Sequence, residues 1–594
     1  MTTLLLRRAP LVAALLLGLA ATSAQAGQTC EVSFSTTAGG ATATGEEAFA
    51  CGTNARAAGR RATAIGTRAN ASEEDTVAVG QDSIASGFHS AAIGGQAVSS
   101  GRGATAVGWQ ARATGEFSTA TGNSAVASGL NSTANGRASQ ATGDNSTAVG
   151  QDAQATGLNS TAVGQASRAT GEDATAIGQA ANASGFHSSA LGAQATASGR
   201  GATATGWQAR ATGDLSTATG NTAVASGANS TATGRAATAS GANSSATGQG
   251  SLANNVNTTA TGQGSVASGE DATATGQGAQ AAGFHATATG ALANASGRGA
   301  TATGWQAAAT GELSTATGNS AVASGTNSTA NGRAATASGA NSTASGQGAV
   351  ASSVNTTATG QGAVASDEDA LATGQGAQAT GFHSSAIGTQ ATASGRGATA
   401  TGWQAQATGA LSTSTGNSAV ASGENSTANG RAATASGANS VAIGASSNAS
   451  ASNSVSLGNG STNTRANTVS VGSTGAERQV TNVAAGTSRT DAVNFGQFTD
   501  GIAELRGYVD NRFHQQDERI DKITAMGSAM STMLSSASGI NQDNRIAAGV
   551  GFAGGESALA VGYQRRINDR ATFTLGGSFT NDESTAGLGF GYGW

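Results

Sequence analysis

Small apolar residues recur along this chain on a fixed register of 14. From Ala48 to about residue 475, Thr/Ser-x-Ala-x-Gly returns at Ala62–Gly66, Thr76–Gly80, Ser90–Gly94 and onward to Ser454–Gly458. Writing one repeat as positions 1 to 14, Ala104 to Phe117, alanine stands at positions 3, 8 and 10 (Ala106, Ala111, Ala113). That alternation predicts two short strands, each sending small side chains to one face. Glycines at positions 5 and 12 predict the turns between them. Two strands and two turns in 14 residues make one coil of a β-solenoid, whose coils bury their inner faces only against neighbours. At about 4.8 Å per coil, about 30 coils give a rod of about 140–150 Å. Positions 2 and 4 point to the opposite face. They are apolar at Val77/Val79, Val441/Ile443 and Val455/Leu457, but threonine at Thr203/Thr205, Thr301/Thr303 and Thr399/Thr401.

The register breaks after Asn463. Ile502, Leu505, Val509, Phe513, Gln516, Ile520, Ile523 and Met530 then keep three- and four-residue steps, the seam of a coiled coil. The consecutive four-residue steps Leu505–Val509–Phe513 form a stutter that relaxes the supercoil. Beyond Met526 the pattern turns small and polar, with Gly527, Ser528, Ala529, Ser531 and Ser535 to Gly539, as a helix inside a narrow lumen requires. Four alternating segments end the chain, Arg545–Phe552, Ser557–Gln564, Ala571–Phe579 and Ser584–Trp594. Val550/Phe552, Val561/Tyr563, Phe573/Leu575 and Phe590/Tyr592/Trp594 mark a lipid-facing side, with glycine opposite, the pattern of a membrane β-barrel. Four strands cannot close a barrel, whereas about twelve, from three chains, can. The anchor alone therefore predicts a homotrimer.

Composition excludes an ordinary globular core. Of 594 residues, 90 are glycine and one is proline, with 4% aromatic and 10% charged. Ala, Gly, Ser and Thr fill only a thin interior. Residues 1–26 read as a secretory signal: Arg7 and Arg8 precede the apolar run Leu11–Ala21, and Ala24-Gln25-Ala26 supplies a cleavage site. That run is too short to span a membrane as a helix. Cys30 and Cys51 then lie near the mature N-terminus of an exported chain, where a disulfide, cross-chain pairing and free thiols all remain open. A net charge of −5 without a basic run argues against nucleic acid. Lys522 is the sole lysine, the other cations being arginines. No catalytic constellation with an enclosing pocket stands out, and no metal or cofactor site is expected, because the head histidines lie too far apart within a chain to share an ion.

A second period of 98 residues, seven coils, overlies the first. Phe-His pairs fall at Phe88-His89, Phe186-His187, Phe284-His285 and Phe382-His383, and tryptophans at Trp109, Trp207, Trp305 and Trp403. Phe88, Arg102 and Glu116 share position 13 of successive coils, so Arg102 is expected over the Phe88 ring and paired with Glu116. Phe186/Arg200/Asp214 and Phe284/Arg298/Glu312 repeat the set, and Phe382/Arg396/Ala410 loses the acid. Each column reads either as a stabilising surface ladder or as a ligand-contacting patch renewed every ~34 Å. The tryptophans, at position 6 over small neighbours such as Gly95, are contact candidates or covers for a turn.

Three stretches carry a resemblance. Glu477-Arg478-Gln479-Val480-Thr481-Asn482-Val483-Ala484-Ala485-Gly486 and Thr490-Asp491-Ala492-Val493-Asn494-Phe495-Gly496-Gln497-Phe498 resemble the neck of the trimeric autotransporter adhesins, the YadA-like family, and Asn439-Ser440-Val441-Ala442-Ile443-Gly444 is similar to their head repeat. The resemblance implies a left-handed parallel β-roll head, a trimeric stalk through Ile502, Leu505, Val509, Ile520 and Ile523, and an outer-membrane anchor. Trp594 matches the terminal aromatic read by the barrel-insertion machinery. The expected organisation is a signal peptide (1–26), an N-terminal cap (27–47), the head (48–475), a neck (476–499), stalk and lumen helix (500–538) and a 12-stranded trimeric barrel anchor (539–594). The expected function is adhesion to extracellular matrix or host cells, autoaggregation and biofilm, from the cell surface. The alternatives are a rod binding ice or another lattice through its threonine ranks, and a passive spacer or coat.

Overall fold

The computed structural model describes residues 27–30 and 39–594, so the secretory signal at 1–26 lies outside the described residues. The chain divides into two units between Glu477 and Arg478.

In the first unit each coil supplies a three-residue strand such as Thr105–Val107 and a two-residue strand such as Arg112–Ala113. Both pair in parallel with the strand 14 residues on, Ala106 opposite Ala120 and Ala113 opposite Ala127. The longer strands build a 32-stranded parallel sheet and the shorter ones a second wall. Between the walls lies a column of fully buried alanines, including Ala106, Ala111 and Ala113. Position 1 joins this interior. At several of its serines the hydroxyl donates to the carbonyl of the preceding position-12 glycine, as Ser118 does to Gly115 at 2.7 Å, whereas at others, such as Ser188 and Ser216, it is buried without a partner.

Glycines 5 and 12, expected to serve alike, act differently. Position 5 holds a positive φ, as at Gly108 (132°), and is glycine from Gly52 to Gly458 without exception. Position 12 has ordinary dihedrals but presses on the next coil, where a Cβ at Gly101 would overlap the Gly115 carbonyl oxygen. Other residues nevertheless stand there at Glu73, Asn255, Ser353, Asp367, Ala451 and Arg465, with ordinary dihedrals.

Coil pairing begins before Ala48 and persists beyond Asn463, within the expected head. Gly27–Cys30 pairs in parallel with Ala48–Cys51, and Thr42–Ala43 with Arg56–Ala57, so parts of the segment 27–47 stack on the first coils. Cys30 lies opposite Cys51 and is bonded to it, with Cα atoms 4.4 Å apart. At the other end Val469–Ser470 still pairs with Val455–Ser456, beyond Asn463. The Asn463 side chain, 5% exposed, replaces alanine in the core. Its amide donates to the carbonyls of Val455 (3.0 Å) and Thr468 (2.7 Å), partnering backbone groups where the stack ends.

The second unit opens with a neck tied by side chains to its own backbone. Asp491 accepts from the Thr487 and Ser488 amides at 2.9 and 2.8 Å, which hold its carboxyl below the usual carboxylate range. The Gln497 side chain bridges both backbone groups of Gly486. The helix then spans Phe495–Ser538, starting five residues inside the stretch assigned to the neck, because Asn494 and Gln497 form a capping box. Ile502, Leu505, Val509, Ile520 and Ile523 are 39–58% exposed on the single helix, a seam that only further chains can cover.

Four antiparallel strands follow, Asn544–Ala553, Glu556–Asn568, Ala571–Phe579 and Ser584–Tyr592, paired in chain order. The second runs on to Asn568 through an irregularity at Arg566/Asn568, and the fourth ends before Trp594. Ile546, Val550 and Phe552 are exposed on one face, Tyr563 lies opposite Leu575, and Phe573 lies opposite Phe590. The other face packs on the helix through Ala547, Ala558 and Ala560 against Ala525, Met526, Ala529, Met533 and Ala537. Met533 stands apart from the small and polar residues beyond Met526. It is among the largest fully buried side chains, and a Cβ at Gly562 or Gly576 would collide with it.

Gly206→Ala (φ 128°) should loosen its coil by about 1–3 kcal/mol from backbone strain alone. Gly250→Ala (φ 66°, nothing within 4 Å), at a position where Ala236 already sits at 55°, should cost less than about 0.5 kcal/mol. Amide exchange along the head would read both. In the neck, a depressed folded value means that Asp491 stabilises above the ordinary carboxylate range and ceases to do so as pH falls through the folded value. The Thr487 and Ser488 amides should therefore keep their protection at pH 7, lose it in acid, and lose it at pH 7 in Asp491→Asn.

Candidate binding ladder on the head

Positions 13 and 14 form one of the two turns of each coil. Position 14 takes the left-handed conformation, as at His89 (60°) and Phe117 (56°), so its side chains stand in a column, one per coil. In the first block the His89 ring stacks on Phe88, with centroids 3.8 Å apart and 20° between planes. Its Nε2 lies 3.1 Å from the Asp75 carboxylate one coil earlier. Arg102 lies 5.9 Å from the Phe88 ring centre and 5.6 Å from that of Phe117. The other blocks repeat the set. His187, His285 and His383 lie 2.8, 2.8 and 2.9 Å from Asp173, Asp271 and Asp369. Arg200, Arg298 and Arg396 each stand 5.7 Å from Phe186, Phe284 and Phe382.

The acid partners depart from expectation. Among the described residues only Arg298 makes the guanidinium pair, with Glu312 at 3.2 Å. Arg102 lies over two aromatic rings instead of pairing with Glu116. Asp214 accepts from the Arg200 backbone amide at 3.0 Å. The pairs are exposed, so each contributes little, and the stacked ring is the steadier contact.

A polar column beneath three of the four Asp–His pairs escaped the sequence reading, Asp75 being met by Arg61 instead. Asn131 donates to Asn145 (3.1 Å), Asn145 to Asn159 (3.0 Å) and Asn159 to Asp173 (2.9 Å), which also meets His187. Asn229, Asn243, Asn257 and Asp271 repeat this chain, as do Asn327, Asn341, Asn355 and Asp369. The same 14-residue spacing held the signal, but asparagine at a turn explains itself by its tolerance of positive φ.

The four tryptophans occupy the opposite turn, at position 6, and are 46–50% exposed. A Cβ at Gly95 would lie 3.2 Å from the Trp109 indole, which rests on the smaller residue as expected. The strand Arg112–Ala113 separates Trp109 from the Glu116–Phe117 turn. The structure thus gathers Phe, His, Asp and Arg at one turn, in two adjacent columns, and leaves Trp at the other. No group of three or more His, Cys, Asp or Glu among the described residues is placed to hold a metal.

Family models cover this architecture almost end to end. The YadA head domain repeat matches successive stretches from 57–83 to 435–461. The coiled stalk of trimeric autotransporter adhesin matches 479–519, and the YadA-like membrane anchor domain matches 538–594. The chain belongs to the YadA-like trimeric autotransporter adhesins. It is an adhesin with a membrane anchor, built as a parallel β-solenoid head, a helical stalk and a four-stranded sheet that fits a trimeric barrel. No curated protein matches it. Among solved structures, it is similar to the collagen-binding domain of the Yersinia adhesin YadA, at 25% identity over 40% of this chain and 86% of that chain, with a TM-score of 0.14.

Proposed function

We propose that this adhesin stands in the outer membrane as a homotrimer and grips extracellular matrix, host cells or neighbouring bacteria along the side of its head. The observation that carries the reading is the fourfold recurrence of one exposed patch. Phe stacked on His, Asp behind it and Arg over the ring return with nearly identical geometry at Phe88, Phe186, Phe284 and Phe382. A stabilising motif has no need of a seven-coil interval, since every coil faces the same stacking problem. Repetition every ~34 Å instead suits multivalent contact, in which weak single sites gain from being tethered together. The half-exposed tryptophans supply a second column of aromatic anchors at the same interval. Autoaggregation and biofilm then follow where the ligand is another head.

The test is solid-phase binding of the head (residues 27–489), fused to a trimerising coil, to collagens, fibronectin, laminin and itself. Replacing the four tryptophans, or Phe88, Phe186, Phe284 and Phe382 together with Arg102, Arg200, Arg298 and Arg396, by alanine should weaken saturable binding by at least tenfold. Undiminished binding by both variants would end the repeated-site reading. No binding to any surface would leave the head as a spacer. Thermal hysteresis in a concentrated solution of the head would favour the lattice-binding alternative.

A further inference from the structure

The anchor unit holds a charged contact that closing a barrel does not require. Thr580–Glu583 joins the third and fourth strands as a tight turn, with the Thr580 amide donating to the Glu583 carbonyl at 2.8 Å and the Glu583 amide to the Thr580 hydroxyl at 3.1 Å. Two carboxylates of this turn meet the helix. Lys522 Nζ lies 3.0 Å from Asp582, and Arg519 Nε lies 2.9 Å from Glu583. The Lys522 side chain is only 17% exposed, and it is the only lysine in the chain. The Gly554–Gly555 turn borders the same stretch of helix, since a Cβ at Gly554 would collide with the Asp521 carboxylate. At the far end, Arg545, 8% exposed, donates to the carbonyls of Gln542 (3.0 Å) and Ala537 (3.4 Å). The helix is therefore tied at both mouths of the sheet.

Between those ties the contact is smooth. Ala525, Ala529 and Ala537 repeat at multiples of four residues against Gly549, Gly551 and small neighbours, a surface that looks much the same after a slide of one turn. Met533 in its glycine hole and the ion pairs break that degeneracy. A slide of one turn, about 5.4 Å, would carry Lys522 out of reach of Asp582. Exposed pairs are individually weak, but two borne by one short turn act together and in one orientation only.

We propose that the Thr580–Glu583 turn is a latch that seizes Arg519 and Lys522 when the helix comes to rest after export of the head, setting its height and closing the head-side mouth of the pore. The inference rests on the sheet being one third of a barrel around three helices. The test uses the full-length chain displayed in an outer membrane. Three variants are compared, Asp582→Lys with Glu583→Lys, Arg519→Glu with Lys522→Asp, and all four together. The readouts are surface head, SDS-resistant trimer and sensitivity to a large hydrophilic antibiotic that an intact outer membrane excludes. Each reversal should raise sensitivity at least fourfold with the head still displayed, and the combined swap should restore it. Unchanged sensitivity in the reversals, or no restoration in the swap, overturns the latch. Absence of an SDS-resistant trimer in the unmodified chain would fault the barrel reading instead. If a reversal blocks insertion, Lys522→Cys with Asp582→Cys should crosslink within the assembled protein, whereas Met526→Cys with Asp582→Cys should not. Equal yields in the two, or none in the first, overturn the proposal.

Discussion

The head depends on how closely one coil can approach the next. Parallel strands in register need the same backbone spacing at every residue, turns included, and at position 12 the approach leaves no room for a side-chain atom without local adjustment. Glycine there, a positive-φ glycine at position 5 and alanine within make one solution rather than three preferences. A larger core residue would push the walls apart, and a non-glycine at position 5 would strain the turn. The coil is therefore thin and locally uniform, and each one stabilises chiefly its neighbours.

That uniformity governs the surface. In an in-register stack, any residue repeated at 14 becomes a column, and its chemistry is set by the column rather than by the coil. Asparagines pass hydrogen bonds along the stack to an aspartate, which meets a histidine lying on a phenylalanine that carries an arginine. The arrangement orders otherwise mobile surface side chains at little cost in conformational freedom, because each is already flanked by its equivalents. Phe117, Leu215, Leu313 and Leu411, 52–63% exposed at position 14, extend the apolar part of each patch by one coil.

The anchor uses small residues for a different end. Alanine and glycine there let a helix lie against a sheet, backbone close to backbone, with one large residue, Met533, seated in the hole they leave. The exposed fourth strand and the uncovered seam of the helix both leave surface that a single chain cannot satisfy. Trimerisation of the family answers both with the same two further chains.

Most of the architecture was legible from periodicity alone. Spacings of 14, of three and four, and of two are direct consequences of coil, helix and strand geometry, and they placed the alanine core, the stalk and the four strands before any coordinates. Periodicity also put Phe88, Arg102 and their equivalents in one column. It did not decide which neighbour each side chain would choose. That Arg102 prefers a second ring to Glu116, that asparagines relay to Asp173, that position 12 is glycine for contact and not for conformation, and that Lys522 meets Asp582 across 60 residues are matters of distance. Sequence spacing specifies which residues share a face, because strand and helix repeats are local. Only the packed chain sets the few ångströms by which one exposed polar partner wins over another, because that choice is a difference between small and nearly equal energies.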